Sequence, residues 1–164
     1  MGKKLLLAIV ILALISITVV FAIQSNEQDF DGNFTMNVPI GKEYCDVSYC
    51  LPNGRLGCAM EYWDVNSDCQ MGDDDIVMYY YDNSCLADGE TNAWKHAMNT
   101  LTTSYLYEPY RNDGNLVILT NDVGMRNMPP YIVGVTNNDQ SKVVFVGGYN
   151  LDDLKYYANT VKFK

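Results

Sequence analysis

The most regular pattern of apolar and polar positions lies in the last third of the chain. Leu116–Thr120 (LVILT), Tyr131–Thr136 (YIVGVT) and Val143–Val146 are short, β-branched apolar runs. Each is bounded by turn residues: Asn112-Asp113-Gly114, Pro129-Pro130, Asn137-Asn138-Asp139 and Gly147-Gly148. Such runs predict buried strands joined by tight turns, with Gly147-Gly148 ending the last one. Leu151, Leu154, Ala158 and Val161 then recur at helical spacing, with Asn150 as the expected N-cap and Asp153 at the third helical position. Lys155, Lys162 and Lys164 suit the C-terminal end of that helix dipole.

Upstream, Phe34, Met36 and Val38 alternate with polar residues until Pro39 and Gly41 stop the run. Residues 43–50 and 55–63 flank Pro52-Asn53-Gly54 and predict a hairpin, with Leu56, Cys58, Met60 and Tyr62 on one face. Residues 76–81 (IVMYYY) predict another strand. Within residues 90–107 the period changes to about 3.6: Trp94, Ala97, Met98, Leu101 and Tyr105 share one helix face, with Asp88 or Thr91 as the expected cap. The resulting order is β-β-β-β-α-β-β-β-α. It predicts an α+β domain whose antiparallel sheet of about six to seven strands packs with two helices.

Residues 5–23 form an uncharged apolar run after Lys3 and Lys4. As a helix the run would span about 28 Å, close to the thickness of a hydrocarbon core. Four segments are expected: a cytoplasmic basic stub at 1–4, a transmembrane signal anchor or signal peptide at 5–23, a tether at 24–32, and one extracytoplasmic domain at 33–164. Val20-Phe21-Ala22 offers a cleavage site, which would give a secreted product. The length of the run favours an anchor, single-pass with the C-terminal domain outside. No cysteine directly follows the run to carry a lipid. Formal net charge is −9, and −11 once Lys3 and Lys4 are set aside. That balance speaks against nucleic acid as a partner.

The strand-Pro-Gly opening FTMNVPIG, the central helix, the strand run and the closing helix with its strand-like tail LKYYANTVKF resemble the PsbP/Mog1-like α+β sandwich. The chain is also similar to small exported archaeal-type proteins with one such domain behind an N-terminal hydrophobic segment. The resemblance covers about residues 33–164 and implies an adaptor or accessory module rather than an enzyme. It places no functional residue.

Cys45, Cys50, Cys58, Cys69 and Cys85 all fall in the exported part, where disulfides are the first expectation. Pairings of Cys45 with Cys50, and of Cys58 with Cys69 or Cys85, are among those open. The spacings lack the repeated short pairs of zinc sites and the C-x-x-C of redox motifs. In the acidic loop 64–75, Asp64, Asn66, Asp68 and Asp75 stand at the first, third, fifth and twelfth places of a calcium-loop pattern. Cys69 stands where the pattern needs Gly, and Asp75 where it needs Glu. A solvated acidic loop is therefore the first expectation, and weak calcium binding the alternative. His96 is the only histidine, and a thiol dyad with Cys85 is weighed against a helix-flank role. Asn33-Phe34-Thr35 is a glycosylation sequon. Thirteen tyrosines against five phenylalanines fit a half-buried sheet, or contacts to an envelope protein or glycan. Together these features lead to the expectation of a non-enzymatic, membrane-tethered binding or accessory module of the cell envelope. A calcium-dependent module and a thiol-active enzyme stand as alternatives.

Overall fold

The computed structural model describes residues 25–47, 59–67, 70–124 and 128–164. The apolar run 5–23, the turn 52–54, and Cys50, Cys58, Asp68 and Cys69 lie outside the described residues. Among the described residues no helix is long and apolar enough to cross a membrane.

Among the described residues, ten strands form two antiparallel sheets in an α+β arrangement. The smaller sheet contains β1 (Ser25–Phe30), β2 (Phe34–Pro39) and β10 (Lys162–Phe163), with β2 central. The larger contains β3 (Tyr44–Asp46), β4 (Met60–Asp64), β5 (Val77–Asp82), β6 (Glu108–Asp113), β7 (Leu116–Thr120), β8 (Tyr131–Thr136) and β9 (Lys142–Gly148). Its order is β3-β4-β5-β9-β8-β7-β6. Helix α1 (Ala93–Thr103) covers one face, and helix α2 (Leu151–Asn159) shares the other with the smaller sheet.

A sheet covered on both faces needs strands that are apolar on both, and β5 and β9 meet that demand. Tyr80 points into the layer shared with β2 and α2, while Tyr79 and Tyr81 point toward α1. Phe34 stacks on Tyr80 at 5.7 Å between ring centroids and meets Tyr62 edge-on at 5.9 Å, joining the two sheets. On the other face, Trp94 of α1 stacks on Phe145 of β9 at 5.7 Å.

Several expectations are corrected. Within the expected tether 24–32, Ser25–Phe30 is a strand that pairs along its whole length with β2, so the described fold begins before residue 33. The β1–β2 turn is closed by Asp31 and Gly32 at positive φ, with the Gly32 N–H donating to Asp29 Oδ1. The sheet of six to seven strands is joined by a second sheet of three. Helix α1 starts later than residue 90, because its N-cap is Asn92, whose side chain accepts from the Lys95 N–H, rather than Asp88 or Thr91. Gly147 and Gly148 do not break β9 but lie within it. A Cβ on Gly147 would sit 2.6 Å from Pro129 Cγ and 3.0 Å from Ile132 Cγ2, so glycine there permits close packing rather than a turn. The predicted hairpin is present as β3 paired with β4, Tyr44 opposite Asp64. The Asn150 cap is also present, accepting from the N–H groups of Asp152 and Asp153.

The register gives the larger sheet two distinct ends. One collects the residues before β3 (Ile40–Lys42), those after β4 (Asp64–Ser67), those before β5 (Gly72–Ile76), Tyr149, Pro130, Asn121–Val123 and Leu106. Ser25 pairs with Pro39, so the described chain enters at this same end. The opposite end carries the 3-10 turn Asn83–Cys85, the turns at Gly114 and 137–141, and the start of α1.

Candidate functional site

Of the acidic residues singled out in the sequence, Asp64 and Asp75 converge at the entry end. Opposite pairing of Tyr44 and Asp64 puts both side chains on one face of the sheet edge. Asp64 is only 5% exposed, an unusual place for a carboxylate. Its Oδ2 accepts from Lys42 Nζ at 2.7 Å, and its Oδ1 accepts from the Asn66 N–H at 3.0 Å and from Asn66 Nδ2 at 3.2 Å. Asp75 approaches from the start of β5. Its Oδ1 accepts from the same Lys42 ammonium at 3.0 Å, and its Oδ2 from the Gly72 N–H at 2.8 Å.

Asp64, Asn66 and Asp75 are therefore brought together, and the positive charge between the two carboxylates is that of Lys42. Burial alone would raise the Asp64 pKa. The hydrogen bonds and charge of Lys42, with those of Asn66, outweigh it and hold the carboxyl below its ordinary value. Asp64 and Asp75 in turn raise Lys42 above the ordinary lysine value. The Tyr44 hydroxyl, buried beside this group, has no hydrogen-bond partner among the described residues, and burial foremost pushes its pKa up. Sequence reading missed Lys42. Its one signal was position, directly after the Pro39–Gly41 stop that turns the chain back toward β3.

Among the described residues no group of three or more His, Cys, Asp or Glu side chains could hold a metal ion. Calcium at Asp64 and Asp75 would have to displace the Lys42 ammonium. Millimolar calcium is therefore expected to leave the melting temperature of the chain unchanged. A rise of several degrees on titration would revive the calcium-loop reading.

Cys45 on β3 and Cys85 in the 3-10 turn are both half-buried and pack against the α1-side core. His96 lies on α1 with its ring edge-on to Tyr81 at 6.0 Å, and its Nδ1 is 2.6 Å from Glu90 Oε2. Glu90 also accepts the Ala87 N–H, so His96 ties α1 to the preceding loop. The Asn33 side-chain nitrogen, which a glycan would occupy, is 3.4 Å from both Met60 Sδ and the Tyr62 hydroxyl. That engagement turns the amide inward and counts against modification of the folded domain. Tyr107 is buried and donates to the Pro129 carbonyl at 2.7 Å, Tyr105 is half-buried, and Tyr110 is exposed beneath Arg111.

Comparison with protein-family models, curated proteins and solved structures gives no match. The fold and this ion-pair site define a two-sheet α+β domain whose ligand-like carboxylates are held by its own lysine.

Proposed function

We propose that the chain is a non-enzymatic, membrane-tethered extracytoplasmic module that binds or supports another component of the cell envelope. One observation carries this reading: the apolar run 5–23 ends at Ile23, and β1 begins at Ser25. Only Gln24 separates a segment long enough to span a bilayer from the first strand of the domain. A domain joined so directly is held against the surface from which its chain emerges. The PsbP/Mog1-like resemblance, with its implied accessory role, points the same way.

The test is expression of the full-length chain followed by alkaline extraction of membranes and protease treatment of intact cells. The chain is expected to stay in the alkali-resistant pellet, and external protease to remove the domain. Recovery in the soluble fraction at a mass lacking the N-terminal run would replace the anchor with a secreted product. Protection from external protease would overturn the outward orientation.

A further inference from the structure

Resting on that anchored reading, we infer that the entry end of the larger sheet is a lipid-contacting surface that lies on the bilayer spanned by residues 5–23. Six large hydrophobic side chains are prominently exposed among the described residues: Ile40 60%, Val65 47%, Leu106 52%, Tyr110 55%, Val123 62% and Tyr149 44%. All except Tyr110 belong to the entry end. They come from five separate connections: β2 to β3, the exit of β4, the approach to β6, the exit of β7, and the step from β9 into α2. Scattered exposed apolar residues need no explanation, but convergence of five from distant parts of the chain on one end does.

The chain itself names the occupant. Ser25 pairs with Pro39, one residue before Ile40, so β1 enters the domain beside the first of these apolar tips. Gln24 alone separates Ser25 from the apolar run. One residue reaches only about 3.5 Å, so the end that holds Ser25 cannot stand far from the headgroups. Further connections hold β1 to the domain body. Gln28 Nε2 donates to the Tyr44 carbonyl at 2.8 Å, Gln28 Oε1 accepts the Tyr44 N–H at 3.2 Å, and Ser25 Oγ lies 2.9 Å from the Tyr156 hydroxyl on α2. The domain therefore cannot swing away on an unpaired leash without giving up β1.

Charge selects the kind of lipid. Among the described residues of this end, Glu43, Asp73, Asp74, Glu108 and Asp122 flank the apolar tips, while Lys42 is already engaged by Asp64 and Asp75. Such a rim is repelled by anionic headgroups and accommodated by zwitterionic ones. Ile40, Val65, Leu106 and Val123 supply shallow apolar anchors, and Tyr149 has the amphipathic ring suited to the headgroup level. Each contact is small, but anchorage by 5–23 keeps the local lipid concentration high enough for a weak surface to stay engaged. The end bearing Asn83–Cys85 and the 137–141 turn is then presented outward, away from the membrane.

The experiment uses the full chain reconstituted into phosphatidylcholine vesicles with brominated acyl chains. Single tryptophans are introduced at the entry end, Val123→Trp or Ile40→Trp, and at the opposite end, Asn138→Trp. Trp63 and Trp94 are a background common to all variants. Bromolipid quenching of the introduced tryptophan is expected to be at least about twofold stronger at 123 and 40 than at 138. Replacing part of the phosphatidylcholine with phosphatidylglycerol should reduce that difference. Equal quenching at both ends in a chain that floats with the vesicles would overturn the lipid-contacting surface while leaving the anchor standing. A chain that does not float with them would overturn both. Stronger quenching on adding phosphatidylglycerol would overturn the headgroup preference.

Discussion

Gly134→Ala is expected to destabilise the domain by about 3 kcal/mol, the upper part of the range for overpacking a core. That loss corresponds to a fall in Tm of roughly 10 °C for a domain of this size. Gly134 has no positive-φ backbone to protect, so the reason is space. It lies opposite Phe145 in the β8–β9 ladder, and a Cβ there would stand 2.4 Å from Cε1 and 2.8 Å from Cδ1 of that ring. The ring has no easy retreat, because Trp94 stacks on it and Tyr81 meets it edge-on at 6.3 Å. Relief must come from β8 moving away from β9 or from α1 lifting. Thermal melts of Gly134→Ala, Phe145→Leu and the double variant provide the check. The double variant should be more stable than the sum of the single losses predicts, by at least about 1 kcal/mol. Strict additivity would show that the ring is not what excludes a side chain at 134.

Lys42→Met is expected to cost about 2 kcal/mol at neutral pH. That lies between the small worth of an exposed pair and the larger penalty for a buried charge left alone, since Lys42 is part-exposed while Asp64 is buried. The sign of the pH dependence follows from the two shifts. Asp64 is held below its ordinary carboxyl value, so its contribution is present above about pH 4 and is lost as pH falls through the lowered folded value. Lys42 is raised, so its contribution is present below about pH 10.4 and is lost as pH climbs through the raised folded value. The gap between wild type and Lys42→Met should therefore be widest between those limits and narrow as pH falls below the ordinary carboxyl range. Denaturant unfolding at pH 7 and pH 3 measures it. A gap unchanged by acid would mean that the loss comes from the lysine stem rather than its charge. Adding Asp64→Asn to Lys42→Met should recover part of the stability by removing the stranded carboxylate while keeping an acceptor for the Asn66 N–H.

Most elements whose side chains face a core were readable along the chain. β5, β7, β8, β9 and both helices carry their burial as alternation, unbroken apolar runs or helical spacing, and the Asn150 cap follows from the same pattern. β6 was not readable. All six of its residues are exposed, it contains Pro109, and its register shifts between Pro109 and Arg111, so no apolar period marks it. β1 was hidden for a related reason: SNEQDF has one buried side chain, and main-chain bonds to β2 hold it in place. The candidate site divided in the same way. Asp64, Asn66 and Asp75 were legible as oxygen donors at suggestive spacing. The common partner of Asp64 and Asp75 was not, because Lys42 comes from a different turn of the chain.

By itself, then, the sequence determined most of the segments that must be buried, most of the turns between them, and that a membrane-length apolar run precedes the domain. The tertiary structure alone decided that an ammonium sits between the two loop carboxylates and that the chain enters the domain beside five exposed apolar tips. The physical reason is the same in both cases. Periodicity records which side chains leave water, whereas edge pairing and ion-pair partners depend on the register that brings distant residues side by side.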